Sequence, residues 1–573
     1  MAETPDVLRL ELCKRDVVSH RKVLNMFDLK LCRRWLTVMA LVVCVTTGCS
    51  SLFVRSKSSL LTADGETESG VTLVSHVAHP YGLGYIKLEA VSMATGLAGT
   101  GEDPPPSPQR ASLMDEMKRR EVENPQEILA SPETALVLVR GFLRPGIQEG
   151  DRFDIEVRTS SRSDSTSLRG GNLLETRLSE TAILGEQLRT GHIMAVANGA
   201  ILVDPTADSS KDPGLATKGR VLGGGIVTKS RNLGLILDHD RQSIRLSQKI
   251  GKAINRRFHS FIDGQKQGVA TPKTDEFVEL VLHPRYKDNV GRYMRVIRNM
   301  SIDETATDRQ ARLQLLTTQL LDPVTSSTAA LRLEAIGGEA AVEVLSEGLT
   351  STDAEVRFYS AEALAYLDET RAVDVLAEVV RQEPAFRVNA LAALSAMDDG
   401  AAYDNLRTLL SVKSAETRYG AFRAITTMSP NDKLTQGEDM RGMFKYHVLD
   451  IAGSPMIHAT SSHRPEIVMF GKSHALNLPL VLDAGPKILV NGLEGGQIKV
   501  SQFDGATQQR TVGNDVESVI RAVVELGGTY PDVVQMLQQA NSTGALTSRF
   551  RVNALPEGGR EFLRDELKVA SKN

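Results

Sequence analysis

The chain has 573 residues, 41% hydrophobic and 24% charged, with a formal net charge of −4. Those are the proportions of an ordinary globular protein with room for about three or four domains, without the excess of Lys and Arg that nucleic-acid binding calls for. Aromatic residues make up only 5%, with Trp35 the single tryptophan, so stacking platforms for sugars or bases do not dominate the function.

All four cysteines, Cys13, Cys32, Cys44 and Cys49, fall at the start of the chain. Arg33-Arg34 precede an apolar run from Trp35 to Val45, which ends in Thr46-Thr47-Gly48-Cys49-Ser50. A basic flank, about eleven apolar residues and small residues before a cleavage point describe a secretory signal peptide over 1–48, with Met26 as an alternative start. As a helix that run would cover ~16 Å, short of the ~30 Å of a bilayer core, so it is a signal and not a spanning anchor. Gly48-Cys49 resembles the bacterial lipobox, with Thr46 standing where that motif usually has an aliphatic residue. It implies acylation of Cys49 and a Ser-rich tether over 49–70 that holds the protein to a membrane, the outer rather than the inner. With Cys49 the one cysteine left after cleavage, no disulfide can form within the mature chain.

Val71 to Val91 reads as strand with turns at Gly82 and Gly84, and the four prolines of Glu102–Pro108 mark a loop. Ala111 to Glu123 has the alternation of a helix. Ala135 to Arg140 is a short apolar strand, and Asp151 to Thr159 alternates with period two as a half-buried strand does. Ile193 to Val203 follows as a strand pair. Leu233 to Leu237 and Phe277 to Leu282 are further strands, with a helix between them over Ile244 to Phe258. Up to about residue 303 the texture is α+β.

From about 322 it changes to Ala, Leu and Glu. Ala361-Glu-Ala-Leu364-Ala-Tyr-Leu367 recurs as Leu391–Met397 and Phe422–Met428, with a weaker copy at Ala330–Ile336. Arg357, Arg387 and Arg418 stand ahead of these at spacings of 30 and 31 residues. Second helices are expected over Ala372–Val380 and Tyr403–Leu410. The block resembles short HEAT repeats, helix pairs that bury their apolar stripes only by stacking. Each Arg is expected to cap or pair with the preceding turn, and the stack to carry its own core. After Pro430 strands return at Pro465–Phe470, Lys487–Val490, Gln497–Phe503 and Leu546–Val552. Helices are expected at Asp515–Leu526 and Asp532–Ala540.

Several segments resemble the flagellar P-ring protein family in that family's order. They are Thr95–Asp103 (TGLAGTGED), Arg144-Pro145-Gly146 with Gly150–Val157, Ser167–Thr176 (SLRGGNLLET), Ala195–Gly199 and Ala253-Ile254-Asn255. A fainter likeness covers Glu525-Leu526-Gly527, Pro531-Asp532 and Gly544-Ala545-Leu546. Residues 304–430 have no counterpart in that pattern and read as an insertion. Gly96-x-x-Gly99-x-Gly101 has neither the glycine order nor the following residues of a nucleotide-binding loop. His76/His79 and His458/His463 are the only loose histidine clusters, and no Gly-x-Ser-x-Gly elbow is present, so no catalytic, cofactor or metal residues are assigned.

The expected fold class is α+β, with β-rich ring-forming domains interrupted by an all-α segment of HEAT-like repeats. The expected segments are 1–48 signal, 49–70 tether, 71–210 and 211–303 P-ring-like, 304–430 repeats, 431–556 P-ring-like and 557–573 tail. The resemblance implies a non-enzymatic subunit of a periplasmic ring around the flagellar rod, a bushing of the basal body. Its implied partners are further copies of itself, rod and L-ring proteins and peptidoglycan, with no nucleic acid and no cofactor. The alternative is an envelope lipoprotein that reuses the ring-forming fold and the repeats as a protein–protein adaptor outside the flagellum. Arg152 and Arg169 are expected either to bridge neighbouring subunits or to serve their own chain.

Overall fold

The computed structural model describes residues 71–562, apart from 185–186, 206–211, 263, 504 and 506. The signal peptide, Cys49, the tether and all but the first residues of the tail lie outside the described residues. Six long strands form the first body, β1 (Ile86–Thr95), β2 (Ala135–Leu143), β3 (Arg152–Thr159), β4 (Asn172–Leu184), β5 (Gln187–Ala200) and β6 (Lys218–Val227), with the short strand Leu202–Val203 paired onto β6. Their order is β3-β2-β1-β4-β5-β6, and β6 pairs back onto β3, so the sheet closes into an antiparallel barrel. Closure removes the open edges that would otherwise template pairing with other chains. The period-two pattern places Leu88, Val139, Ile155, Val157, Leu178 and Val221 inside. Two helices, α1 (Pro108–Arg119) and α2 (Pro125–Leu129), fill the β1–β2 connection. α1 starts on Ser107, whose hydroxyl accepts from the Arg110 amide at 3.1 Å, with Pro108 at its first position. It packs Leu113 and Met117 on the outer wall, against Met93 and Leu136.

Past the barrel, β7 (Leu233–Leu237) lies at the centre of a sheet with β8 (Ala270–Pro272), β9 (Phe277–Leu280) and the earlier strand Ala78–Tyr81. Helices α3 (Ile244–Arg257) and α4 (Val290–Arg298) cover it. Asn255 fixes α3 to β8 by exchanging two hydrogen bonds with the backbone of Ala270, both 2.8 Å.

Eight helices follow: α5 (Ala306–Leu321), α6 (Ser326–Ile336), α7 (Glu339–Gly348), α8 (Ala354–Tyr366), α9 (Val373–Gln382), α10 (Arg387–Ser395), α11 (Gly400–Leu409) and α12 (Ala415–Met428). The repeat copies read in the sequence are α6, α8, α10 and α12, and the expected second helices are α9 and α11. The stack does not carry a separate core. One apolar cluster runs from Leu235, Ile254 and Tyr293 through the repeats to Val468 and Phe470. The reason is that a terminal repeat still has an uncovered face, and here each end is covered by a neighbouring body.

The last body holds a mixed sheet of β10 (Glu438–Met440), β11 (Phe444–Leu449), β12 (Met456–Ala459), β13 (Glu466–Phe470) and, joining last in the chain, Arg549–Val552. A four-stranded meander spans Val481–Asp483 to Gln508–Gly513, and α13 (Val516–Glu525) and α14 (Tyr530–Ser542) follow it. Every residue of β12 and β13 is buried, because one face of the sheet meets the repeats and the other meets these helices. The same body's core takes in Leu202 and Leu222 from the barrel.

Candidate assembly surface

Of the segments that carried the family resemblance, Thr95–Asp103 and Ser167–Thr176 lie at one end of the barrel and Arg144–Gly146 at the other, while Ala253–Asn255 lies on α3 outside it. At one end Thr95–Asp103 lies over Ser167–Thr176: the Thr100 hydroxyl donates to the Ser167 carbonyl at 2.7 Å, and the Thr166 amide to the Thr100 carbonyl at 3.0 Å. Gly101 is pressed so closely on the β2 approach that a Cβ there would stand 2.0 Å from the Thr134 carbonyl oxygen. At the other end the β2–β3 turn is closed by Asp151, which accepts from the Gln148 amide at 3.0 Å and pairs with Arg144 at 3.2 Å. Arg152 donates to the Gly223 carbonyl at 3.1 Å and Arg169 to the Asp204 carbonyl at 3.3 Å, so both serve their own chain.

Across the outer wall, registers align Glu89, Arg140, Glu156 and Arg220 as one transverse row over β1, β2, β3 and β6. Arg140 pairs with Glu89 at 3.1 Å, and Arg220 stands 3.9 Å from both Glu156 and Asp154. Opposite charges facing each other across neighbouring strands stabilise the wall. The row lies on the floor of a groove of about 1640 Å³, bounded by α1 on one side and by Leu202, Leu215 and Ser461 on the other. Leu174, Ile193 and Leu215 line it while remaining 41%, 46% and 46% exposed. On the α1 side, the Arg120 guanidinium bonds the Glu116 carboxylate at 2.9 Å and holds it below the usual carboxylate range. None of these groove residues was assigned a role from the sequence. Leu173-Leu174 sits inside a recognised motif, but only the fold shows that Leu173 points in while Leu174 stays exposed.

Asp154 also ties the barrel to the last body, accepting from the Gly223 amide at 2.9 Å and from the His463 amide at 2.7 Å. His463 thus joins through its backbone, and burial lowers the pKa of its ring. His458 accepts from the Ala554 amide at 3.0 Å and stacks on Tyr419, and burial pushes it down to about 3. His79 meets Asp238 at 3.2 Å, and His76 lies within 3.4 Å of the Leu73 amide. Among the described residues no three His, Cys, Asp or Glu side chains converge as metal ligands, and no helix is long and apolar enough to cross a membrane.

Both ends of the repeat stack are bound by buried charge. On the α4 side, Arg292 contacts Glu334 and Glu362, with the Tyr286 hydroxyl donating to Glu334 at 2.5 Å. On the other, Glu466 accepts from Tyr419 and lies 3.4 Å from Arg423 and 3.8 Å from His447. Within the stack Arg357, Arg387 and Arg418 donate to the carbonyls of Ser351, Val380 and Val412, at 2.7, 3.1 and 2.6 Å. Each satisfies a carbonyl at or just beyond the end of the preceding helix, a group that has no partner within that helix.

Comparison with known proteins agrees with this division. Residues 74–314 match the family model of the flagellar P-ring protein, and residues 310–395 match that of HEAT repeats. Flagellar P-ring proteins of Caulobacter vibrioides and Thermotoga maritima are 26% identical over 207 residues and 25% over 244. The P-ring protein of Geobacter metallireducens is 28% identical over 242 residues. These alignments take in 34%, 41% and 40% of this chain and span 53%, 68% and 60% of the respective relatives. The resemblance drawn from the motifs therefore holds for the barrel and the body after it, and the helical block is of the HEAT type.

Proposed function

We propose that this chain is a structural, non-catalytic subunit of a ring that encircles the flagellar rod in the periplasm, working as a bushing of the basal body. The observation that supports it most directly is positional. Most of the residues shared in pattern with P-ring proteins lie at the two ends of the barrel, and the family match spans the barrel and the body after it, so what is shared is a wall element suited to side-by-side packing. Further copies of the chain, rod and L-ring proteins and peptidoglycan are its proposed contacts, with acylated Cys49 holding it to the outer membrane. Basal bodies isolated from the host and imaged by electron microscopy should contain the tagged protein as a closed ring. If the protein is missing from them and monomeric at high concentration, the ring reading fails. The second reading, an envelope adaptor, would then take its place. That alternative draws its support from the HEAT-type block, which lies largely beyond the stretch matched to P-ring proteins.

A further inference from the structure

A ring of identical subunits that closes by rotation uses heterologous contacts, in which one surface of each copy meets a different surface of the next. Two unlike surfaces of this chain are each more apolar than a bare exterior usually is. The first is the groove on the barrel wall, lined in part by exposed Leu174, Ile193 and Leu215. Around them stand the exposed cations Arg158, Arg177 and Lys218. Exposed apolar side chains set among polar and charged ones are common in protein interfaces. At about 1640 Å³ the groove exceeds the ~300–1,000 Å³ usual for small-molecule sites.

The second surface lies on the repeat stack. At the end of α5 and in the turn after it, Leu315, Leu321 and Val324 are 39%, 49% and 74% exposed. The exposed positions along that helix face, Ala311, Gln314, Leu315, Thr318 and Leu321, carry no charge. Elsewhere on the stack the exterior is charged, with Glu343, Asp374 and Asp404 at corresponding exposed places of α7, α9 and α11. Asp322 is exposed amid the apolar knob, and its Oδ1 holds the turn by accepting from the Val324 amide at 3.0 Å. The knob thus offers apolar bulk with one carboxylate, and the groove offers exposed Leu174, Ile193 and Leu215 beside its charged row, with the cations Arg158 and Lys218 also lining it.

We propose that the Leu315–Val324 knob of one copy seats in the barrel-wall groove of the next, as a heterologous contact that joins subunits into the ring. The inference rests on the ring reading above and adds to it which two surfaces meet. It also assigns the inserted repeats a role in closure. The test uses the mature full chain and two exposed-site variants, a knob variant (L321D/V324D) and a groove variant (I193D), studied by sedimentation velocity and electron microscopy. The wild type should assemble, and each variant alone should self-associate at least about tenfold more weakly with unchanged melting. Mixed together they should form pairs that stop at two, since one retains its groove and the other its knob. Assembly of either variant at wild-type strength, or a mixture that stays monomeric, overturns the knob-in-groove contact while leaving the ring itself standing. A wild type that never assembles overturns both.

Discussion

Replacing Arg292 with Met tests whether buried charge, rather than apolar packing alone, fastens the repeats to the body before them. Arg292 is 2% exposed and Glu334 is fully buried. Its Nε and Nη2 reach Glu334 at 2.9 and 2.5 Å, its Nη1 contacts Glu362, and its guanidinium lies 4.8 Å from the centre of the Tyr366 ring. Met keeps the apolar stem but leaves two buried carboxylates without their cation, a loss of about 3–5 kcal/mol at neutral pH. In a chain of several bodies unfolding is not a single two-state event, so the assay is native-state hydrogen exchange of amides in α4, α6 and α8. At about 1.4 kcal/mol per decade, protection there should fall by about 10²- to 4 × 10³-fold. The pH dependence carries a sign. Burial already raises the Glu334 pKa, and Arg292 is the chief group opposing that rise, so the variant's pKa climbs further. A carboxyl raised in the fold keeps its full contribution below its ordinary value and loses it as pH rises. The deficit should therefore be largest at pH 7–8 and shrink toward pH 5. Adding E334Q and E362Q to the same chain should recover most of the loss. A fall in protection below about tenfold, or a deficit that grows on acidification, would refute this account.

Gly101→Ala should destabilise the barrel by about 3 kcal/mol, because the new Cβ meets backbone oxygens of Thr134 and Pro132 at 2.0 and 2.7 Å. Gly99→Ala, at φ +75° with open space around it, should cost only about 1–2 kcal/mol, and equal losses in the two melting curves would contradict the packing argument. His458 is held neutral by burial, so its contribution is present above its ordinary pKa of about 6.5 and lost as pH falls toward about 3. Acid unfolding of H458Q should accordingly be shallower over that window than wild type, and an unchanged slope counts against it. Metabolic labelling with a fatty acid should mark the wild type and not Cys49→Ala. Label that survives the change removes the anchor.

Elements with a strong period were legible in the sequence: β3, β7, α3 and the second helices α9 and α11 begin and end within a few residues of their expected bounds, while the repeated stretches mark the later parts of α6, α8, α10 and α12, which start four to seven residues earlier. The strand β4 was not, because Glu175, Thr176, Arg177 and Ser179 interrupt any run of apolar residues, and two stretches of irregular register shift its faces. It is a strand because β1 and β5 flank it. Helix α4 (VGRYMRVIR) was missed because Gly291 and the β-branched Val290, Val296 and Ile297 lower its propensity, and its Tyr293, Met294 and Ile297 are held by tertiary burial. The repeat arginines were legible down to their task, since a side chain in the first turn of each helix has the preceding helix end within reach. The apolar stripe of a helix tells which face must be covered but not by what. The continuous core across three bodies therefore could not be read from periodicity, and neither could the groove, whose walls come from segments up to several hundred residues apart.

A solenoid with free ends behaves as a spring, since each repeat touches only its neighbours and small rotations add along the stack. This stack has no free end. Arg292 with Glu334 and Glu362 pins its first turn, and Glu466 with Tyr419 and Arg423 pins its last. Held at both supports, such an element loses its softest bending mode and transmits load along its length. Mechanically the inserted repeats are a strut between two β-bodies, and a torque applied to one body passes to the other before the stack can coil.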